Sequence, residues 1–251
     1  MERKDLVDYL NTYLRIEEIE DYGPQGLQVD SGNSSITRVA LAVDTAPGAI
    51  QAAAAWRADM LIVHHGILWR SVEPLTGPKG RRVRLLIQNG INLYAAHLPL
   101  DGHPEVGNNA VLAQMLDLEV EGGWCEPKGT PIGIVGTFHE AVDLEAVVKK
   151  IESELHITAK VLAEGPSQVK KMAIVSGFGA PDVAEAKSTG ADTFLTGETS
   201  HTDYWAAADY NMNIIYAGHY ATETVGVKAL GQHLSDKFGL KVKFFDLPTG
   251  L

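Results

Sequence analysis

The feature that most constrains this sequence is a strand-helix-strand pattern that occurs twice. Residues 39–65 align without gaps with residues 172–198, and in both segments an Ala-Asp pair precedes the second apolar strand. Strands that alternate with helices are typical of a largely parallel sheet covered by helices. The sequence therefore predicts an α/β fold with two similar lobes that arose by internal duplication. The alternative is coincidence, because alanine-rich helices and valine-rich strands are common.

The rest of the chain is divided around these two segments. We predict a first α/β lobe over residues 1–124 and a second over residues 125–251, with a short β-α-β insert over 125–170 before the repeated unit. Apolar residues at helical spacing predict helices over residues 3–14, 47–57, about 80–89 and about 106–117. Between them lie the apolar runs VALAVD, MLIVHHG and INLYAAH, which predict strands.

Two adjacent histidines close one of the predicted strands. His64 and His65 follow the apolar run Met60 to Val63 and precede Gly66. Ligands bind beyond the carboxyl ends of the strands in parallel sheets, so this is where a site is expected. Neighbouring side chains on a strand point to opposite faces, so both histidines serve one site only if the strand ends here. Gly66 permits that turn, and we predict that both histidines bind metal.

The third strand of each lobe ends on a histidine followed by a carboxylate. NLYAAH ends at His97 with Asp101 four residues later, and NIIYAGH ends at His219 with Glu223 four residues later. Histidine with aspartate and glutamate suits zinc, iron or manganese, and a carboxylate can bridge two ions. We therefore predict that Asp101, His219 and Glu223 are further metal ligands. The alternatives are that Asp101 is a turn residue and that Glu223 only favours a helix dipole.

Three other residues are candidates for catalysis. His97 ends its strand in the position that matches His219, so its alternatives are a metal ligand, a residue that supports a ligand, and a proton shuttle; we favour a supporting or substrate-facing role. Glu198 and His201 follow the strand TFLTG. We predict that His97, Glu198 and His201 move protons in a reaction, as general acids and bases do. The alternative for Glu198 and His201 is that both are solvated loop residues.

Charge and composition exclude several classes of partner and site. The 21 lysines and arginines against 32 aspartates and glutamates give a net charge of −11, so a nucleic-acid partner is not expected. An anionic substrate then needs a local positive centre, which a metal ion supplies. The single cysteine, Cys125, excludes an intrachain disulfide and a thiolate metal cage. The first residues have no apolar signal core and no membrane span is evident, so we expect a cytoplasmic protein.

Taken together, these motifs resemble the Nif3-like family, whose bacterial members include YbgI and are often called GTP cyclohydrolase 1 type 2 homologs. The resemblance covers essentially the whole chain. It rests on four segments: the opening Gly26-Leu27-Gln28-Val29, the Val63-His64-His65-Gly66 motif, the run from His97 to Asp101 with Gly107-Asn108-Asn109, and the late Gly218-His219 with Glu223.

The resemblance implies a fold, an assembly and a chemistry. It implies the Nif3-like fold with two similar lobes, two divalent metal ions per chain held by the five predicted ligands, with the glutamate touching both, and a ring-shaped homohexamer. It also implies hydrolysis of GTP at the guanine ring with loss of formate, so the expected partner is a small-molecule substrate, with a nucleotide as the candidate. Two alternatives stay open: a two-metal phosphoesterase and a non-enzymatic metal-binding assembly or interaction protein.

Overall fold

The structure is a computed structural model that describes residues 1–69 and 74–250. These residues fall into two units. The first is Met1–Leu100 with Val227–Leu247, and the second is Asp101–Gly226 with the residues from Pro248 onward. Each unit is built on one β-sheet with helices packed on it, which confirms the predicted α/β class.

The chain alternates between helices and strands from its first residues. The described helices are α1 (Arg3–Tyr13), α2 (Pro47–Ala55), α3 (Gly77–Gln88), α4 (Leu98–Asp101), α5 (Asn108–Met115), α6 (Leu144–Leu155), α7 (Val183–Ser188), α8 (Ala206–Asp209) and α9 (His219–Phe238). The described strands are β1 (Gly26–Val29), β2 (Arg38–Asp44), β3 (Met60–His65), β4 (Asn92–Ala95), β5 (Glu119–Trp124), β6 (Gly133–Asp143), β7 (Lys160–Ala163), β8 (Gln168–Ile174), β9 (Thr193–Thr196), β10 (Asn213–Tyr216) and β11 (Lys241–Phe244). None of the described helices is long and apolar enough to cross a membrane.

The first sheet has the order β1-β4-β3-β2-β11. Strands β2, β3 and β4 are parallel and almost wholly buried, which explains why their sequences are continuous apolar runs rather than alternating ones. β11 extends the parallel set beside β2, whereas β1 pairs antiparallel with β4. Because the three central strands are parallel, their carboxyl ends meet at one edge, where His65 ends β3.

The second sheet has the order β5-β6-β8-β9-β10-β7 and repeats this central arrangement. Strands β8, β9 and β10 are parallel, and the strands outside them pair antiparallel. Its core includes Leu112, Ile151, Leu195 and Ile215, so α5 and α6 both pack on this sheet. The second sheet is therefore mixed, and only its three central strands have the predicted parallel arrangement.

The strand register supports the duplication and shifts one predicted match by a residue. Asn92 pairs with Met60 in the first sheet, as Asn213 pairs with Thr193 in the second. The gap-free alignment equates Met60 with Thr193, so Asn92 is equivalent to Asn213. Counting on from these asparagines, His97 is equivalent to Gly218 rather than to His219.

In both units an aspartate accepts backbone hydrogen bonds at the amino-terminal edge of the parallel strands. Asp59 Oδ2 accepts hydrogen bonds of 2.9 Å from the backbone N–H groups of Thr37 and Arg38. Asp192 Oδ2 accepts the equivalent bonds from Lys170 and Lys171, at 2.9 and 3.1 Å. The aligned Ala-Asp pairs therefore mark a repeated structural contact.

The boundaries of the two units differ from the predicted 1–124 and 125–251. β5 pairs with β6, which draws residues 119–124 into the second sheet. β11 pairs with β2, which returns the end of the chain to the first sheet. The predicted insert over 125–170 supplies β6 and β7, which lie beside β8 and β10 as strands of the second sheet. Pairing between strands distant in sequence sets these boundaries, and a linear pattern does not encode it.

Candidate metal centre

The strand β3 ends on the two adjacent histidines. His64 is fully buried, and its Nδ1 lies 3.0 Å from the backbone oxygen of Ala96. His65 is partly exposed, and its Nδ1 lies 2.9 Å from Oδ1 of Asp44. Because the partner is an oxygen that only accepts, Nδ1 carries the proton in each neutral ring and Nε2 carries the lone pair that a metal ion requires.

His97 joins the same group from the loop after β4. Its Nδ1 lies 2.9 Å from Oδ1 of Asp21, whose side chain is only 2% exposed. Oδ2 of Asp21 accepts the backbone N–H of Leu98 at 2.8 Å, so this carboxylate fixes both the ring and the chain behind it. A carboxylate behind a histidine sets the tautomer and raises its basicity as a ligand.

These three histidines form a candidate site within the first unit. One ligand nitrogen from each of His64, His65 and His97 lies within 4.8 Å of the others, close enough for the side chains to converge on one ion. Imidazole nitrogens with oriented outer partners are ligands that suit zinc, iron and other borderline metals. The residues present therefore fit a divalent metal ion. The sequence predicted His64 and His65 as ligands and His97 for proton transfer, and the structure groups all three.

Strand β1 and the loop before it hold this group in place, a role that the sequence patterns did not indicate. Gln28 Oε1 accepts the backbone N–H groups of Ile67 and Leu68 at 2.7 and 3.2 Å, and so fixes the turn after His65. Gln25 Oε1 accepts the N–H of His97 at 2.8 Å. A Cβ on Gly66 would lie 2.3 Å from Oε1 of Gln28, so this glycine is required by close approach of the glutamine.

A second group of candidate ligands lies in the second unit, at the start of α9. His219 Nε2 lies 3.1 Å from Oε1 of Glu223, and its Nδ1 lies 3.3 Å from Oε2 of Glu198. Burial lowers the pKa of His219, but the hydrogen bond and charge of Glu223, with the charge of Glu198, outweigh it and leave the pKa above its ordinary value. The imidazole of His219 is therefore surrounded by negative charge, which also favours binding of a cation at this position. His219 and Glu223 both qualify as metal ligands.

A glycine makes room for this carboxylate. Gly177 has φ of +67°, and a Cβ there would lie 2.5 Å from Oε1 of Glu223 and 3.3 Å from Nε2 of His219. The gap-free alignment equates Gly177 with Asp44, which supports His65 in the first unit. One lobe therefore uses this position for a carboxylate, and the other leaves it empty for Glu223.

Asp101 lies in the second unit and is only 5% exposed. Its Oδ1 accepts hydrogen bonds from Asn108 Nδ2 at 2.8 Å and from Ser176 Oγ at 3.0 Å. Asn108 is itself fixed, because its Oδ1 accepts the N–H of Gly226 at 2.8 Å. A buried aspartate oriented by two donors is a held carboxylate, not a solvated turn residue.

The remaining predicted catalytic residues have different surroundings. Glu198 follows β9, contacts His219 and has a side chain 38% exposed. His201 begins a short 3₁₀ turn, is exposed and belongs to neither group of candidate ligands among the described residues. The structure therefore brings Glu198, but not His201, beside a predicted ligand of the same unit.

An α/β fold with histidine and carboxylate groups held at the ends of parallel strands defines a candidate metal-binding protein. The sequence matches the Duf34/NIF3 (NGG1p interacting factor 3) family over residues 1–249. The chain belongs to this family, as its motifs predicted.

Relatives and solved structures agree with this assignment. Proteins called GTP cyclohydrolase 1 type 2 homolog are 44% identical in Pyrococcus abyssi, over all of both chains, and 42% identical in Deinococcus radiodurans, over 99% of this chain and 94% of the relative. The solved structure of protein ybgI, described as of unknown function, is 34% identical with a TM-score of 0.93 over all of both chains. That of TTHA1606 from Thermus thermophilus is 40% identical with a TM-score of 0.90, again over all of both chains.

Proposed function

We propose that this protein is a dinuclear metal-dependent hydrolase that acts on a nucleotide, with GTP as the substrate and formate as a product. The observation that carries the proposal is the group of three histidines whose Nδ1 atoms are all held by oxygen acceptors. Such a group is arranged to present nitrogen lone pairs to an ion. The name shared by the relatives, GTP cyclohydrolase 1 type 2 homolog, supplies GTP and the class of reaction, and the family resemblance supplies the release of formate.

We propose that the ligands of the two ions are His64, His65, Asp101, His219 and Glu223. These five residues are the ligand set that the family resemblance implies. His97 lies with His64 and His65 and has the same outer support, which favours a role as an additional ligand over one in proton transfer. Zinc, iron and manganese all suit this set of nitrogen and oxygen ligands.

When bound, divalent ions of this kind supply Lewis acidity and make a nucleophile available at neutral pH. The chain's own residues then orient and protonate. Asp21 and Asp44 hold the imidazoles of His97 and His65 in one tautomer. Glu198 is placed to exchange protons with a substrate, because its carboxylate lies beside His219 and remains partly exposed. We propose that His201 relays protons from solvent. His201→Ala tests this role in the formate assay described next.

The experiment is to purify the protein anaerobically, load it with zinc, iron or manganese, and measure formate and phosphate released from GTP and from a panel of phosphoesters. We expect formate from GTP with the wild-type protein. The rate of formate release should fall at least about 100-fold in Glu223→Ala, because this variant lacks a proposed ligand of the catalytic metal ions. Glu154→Ala removes an exposed glutamate and serves as the matched control. Release of phosphate without formate would identify a phosphoesterase instead, and a fully loaded protein with neither activity would support a non-enzymatic role.

We further propose that the chain assembles into a ring-shaped homohexamer, on family resemblance alone. Light scattering coupled to size-exclusion chromatography tests this directly. The expected mass is six times that of one chain, and a monomeric or dimeric mass at micromolar concentration would contradict it.

A further inference from the structure

A tryptophan stands beside the three histidines with part of its ring exposed. The indole of Trp69 meets the ring of His97 edge to face, with centroids 5.2 Å apart and planes at 87°. It also lies 6.1 Å from the ring of His65. Despite these contacts, 36% of Trp69 is exposed. Ligand pockets are commonly lined by aromatic side chains beside a few placed polar groups, and Trp69 beside the three histidines has that arrangement.

The backbone of Trp69 lies against β1 and the loop before it, the same segment that supports the histidines. A Cβ on Gly23 would lie 2.8 Å from the Cα of Trp69 and 2.7 Å from the backbone oxygen of Leu68, so the two segments are in close contact. Gln28 accepts the N–H of Leu68. The backbone of Trp69 therefore lies against the same segment, residues 21–28, whose side chains Gln25 and Asp21 hold His97. A ring stacked on the indole would lie beside the histidines, because the indole contacts the rings of His97 and His65.

From this geometry we infer that Trp69 is a positioning residue that stacks on the planar ring of the substrate, a purine, and so sets which atom of that ring faces the histidines. The inference rests on the proposed function, since the purine is the substrate class named there. Stacking suits this role because an aromatic face attracts a heteroaromatic ring without fixing its hydrogen bonds, which remain for other groups.

Another exposed tryptophan provides the matched control. Trp205 is 66% exposed and packs edge to face on Tyr204 in the second unit, with ring centroids 5.1 Å apart. Trp69→Leu and Trp205→Leu therefore remove the same side chain from two exposed positions, of which only the first adjoins the three histidines. Trp69→Phe keeps an aromatic face at the first position.

The test measures affinity by calorimetry on the metal-loaded full chain, with guanosine as the ring probe and ribose 5-phosphate as the probe without a base. We expect Trp69→Leu to lose about tenfold or more in affinity for guanosine, the size of one base-aromatic stack. Trp69→Phe should retain most of it, and Trp205→Leu should bind guanosine as the wild type does. The affinity for ribose 5-phosphate should not change in any variant.

Three results would overturn the inference. They are no saturable binding of guanosine to the wild type, equal affinity for guanosine in Trp69→Leu, and a loss of affinity in Trp69→Leu that is explained by a lower metal content of that preparation. The two proposals fail separately. Guanosine binding that depends on Trp69 without formate from GTP would keep the inference and remove the proposed reaction. Formate production that is unchanged in Trp69→Leu would keep the reaction and remove the inference.

Discussion

A single glycine decides whether the carboxylate of Glu223 has room beside His219. Gly177 combines a left-handed backbone with close approach of that carboxylate, at 2.5 Å from where a Cβ would be. Gly190 has the same kind of backbone, with φ of +84°, but the nearest atom to its Cβ position is Lys171 Nζ at 3.9 Å. The pair separates backbone strain from the steric demand of the candidate metal centre.

Alanine at these two positions should therefore have different effects. Gly177→Ala and Gly190→Ala should each lose about 1–2 kcal/mol of free energy of unfolding from left-handed strain. Only Gly177→Ala should also lose metal affinity, by about tenfold or more, because Glu223 must move. Denaturant unfolding of the metal-free proteins and competition with a chelator measure the two effects. Equal metal affinity in both variants would show that this close contact is not needed for binding.

The carboxylate of Asp21 is a second test at this scale. Asp21→Asn removes the charge behind His97 while keeping the size of the side chain, so metal affinity should fall by about 10–100-fold. Asp8→Asn makes the same change on an exposed face of α1 and should leave affinity unchanged. Chelator competition on both variants provides the comparison, and unaltered affinity in Asp21→Asn would remove its assigned role.

The sequence predicted the positions of the candidate ligands better than their supports. His64, His65 and His219 were predictable because strand patterns end on them and because parallel strands share a carboxyl edge. The contact of Asp21 with His97 spans 76 residues and that of Gln28 with Ile67 spans 39, and no local pattern signals such pairs.

Among the elements, β1 connects the first sheet to the candidate metal centre. Gln28 makes this connection, because its side-chain oxygen accepts hydrogen bonds from two backbone N–H groups of the turn after His65. Losing both bonds leaves two partly buried donors without this acceptor.

Gln28→Ala should therefore lower the free energy of unfolding by about 1–3 kcal/mol and weaken metal binding. Gln232→Ala removes an exposed glutamine whose side chain donates along α9 to Asp236, and serves as the control. Thermal unfolding with and without metal measures both consequences. If Gln28→Ala unfolded and bound metal as the control does, the turn would have to be held by other contacts.

Elements with a strong apolar pattern were predicted, and the marginal strands were not. The helices α1 and α2 and the strands β2 and β3 lie close to their predicted positions. The strand β5 has the sequence EVEGGW, with two glycines and a mostly exposed surface, and β11 alternates lysine with apolar residues over four positions. These edge strands form because a neighbouring strand offers its backbone, and this depends on distant residues.

At the scale of the whole molecule, the duplication predicts equal behaviour at equivalent positions. Asp59→Ala and Asp192→Ala each remove an acceptor of two backbone N–H groups at the amino-terminal edge of a sheet. Each should cost about 1–3 kcal/mol of free energy of unfolding. Their effects should add within about 0.5 kcal/mol in the double variant, because the two contacts share no partner.

Denaturant unfolding monitored by circular dichroism measures these values, with Asp236→Ala on the exposed face of α9 as the control. A large loss of stability from one substitution and none from the other would mean that the two aspartates do not have equivalent structural roles. The unit boundaries were not predictable in the same way, because β5 and β11 join their sheets by pairing that the duplicated segments do not contain.

The central claim is that the chain holds two metal ions through its histidines and carboxylates. The most direct test is to measure the number of metal ions per chain by elemental mass spectrometry. The protein is purified anaerobically, loaded with metal and then dialysed. The account predicts two ions per wild-type chain and fewer in His65→Ala and Glu223→Ala. Fewer than one ion per wild-type chain under these replete conditions would contradict it.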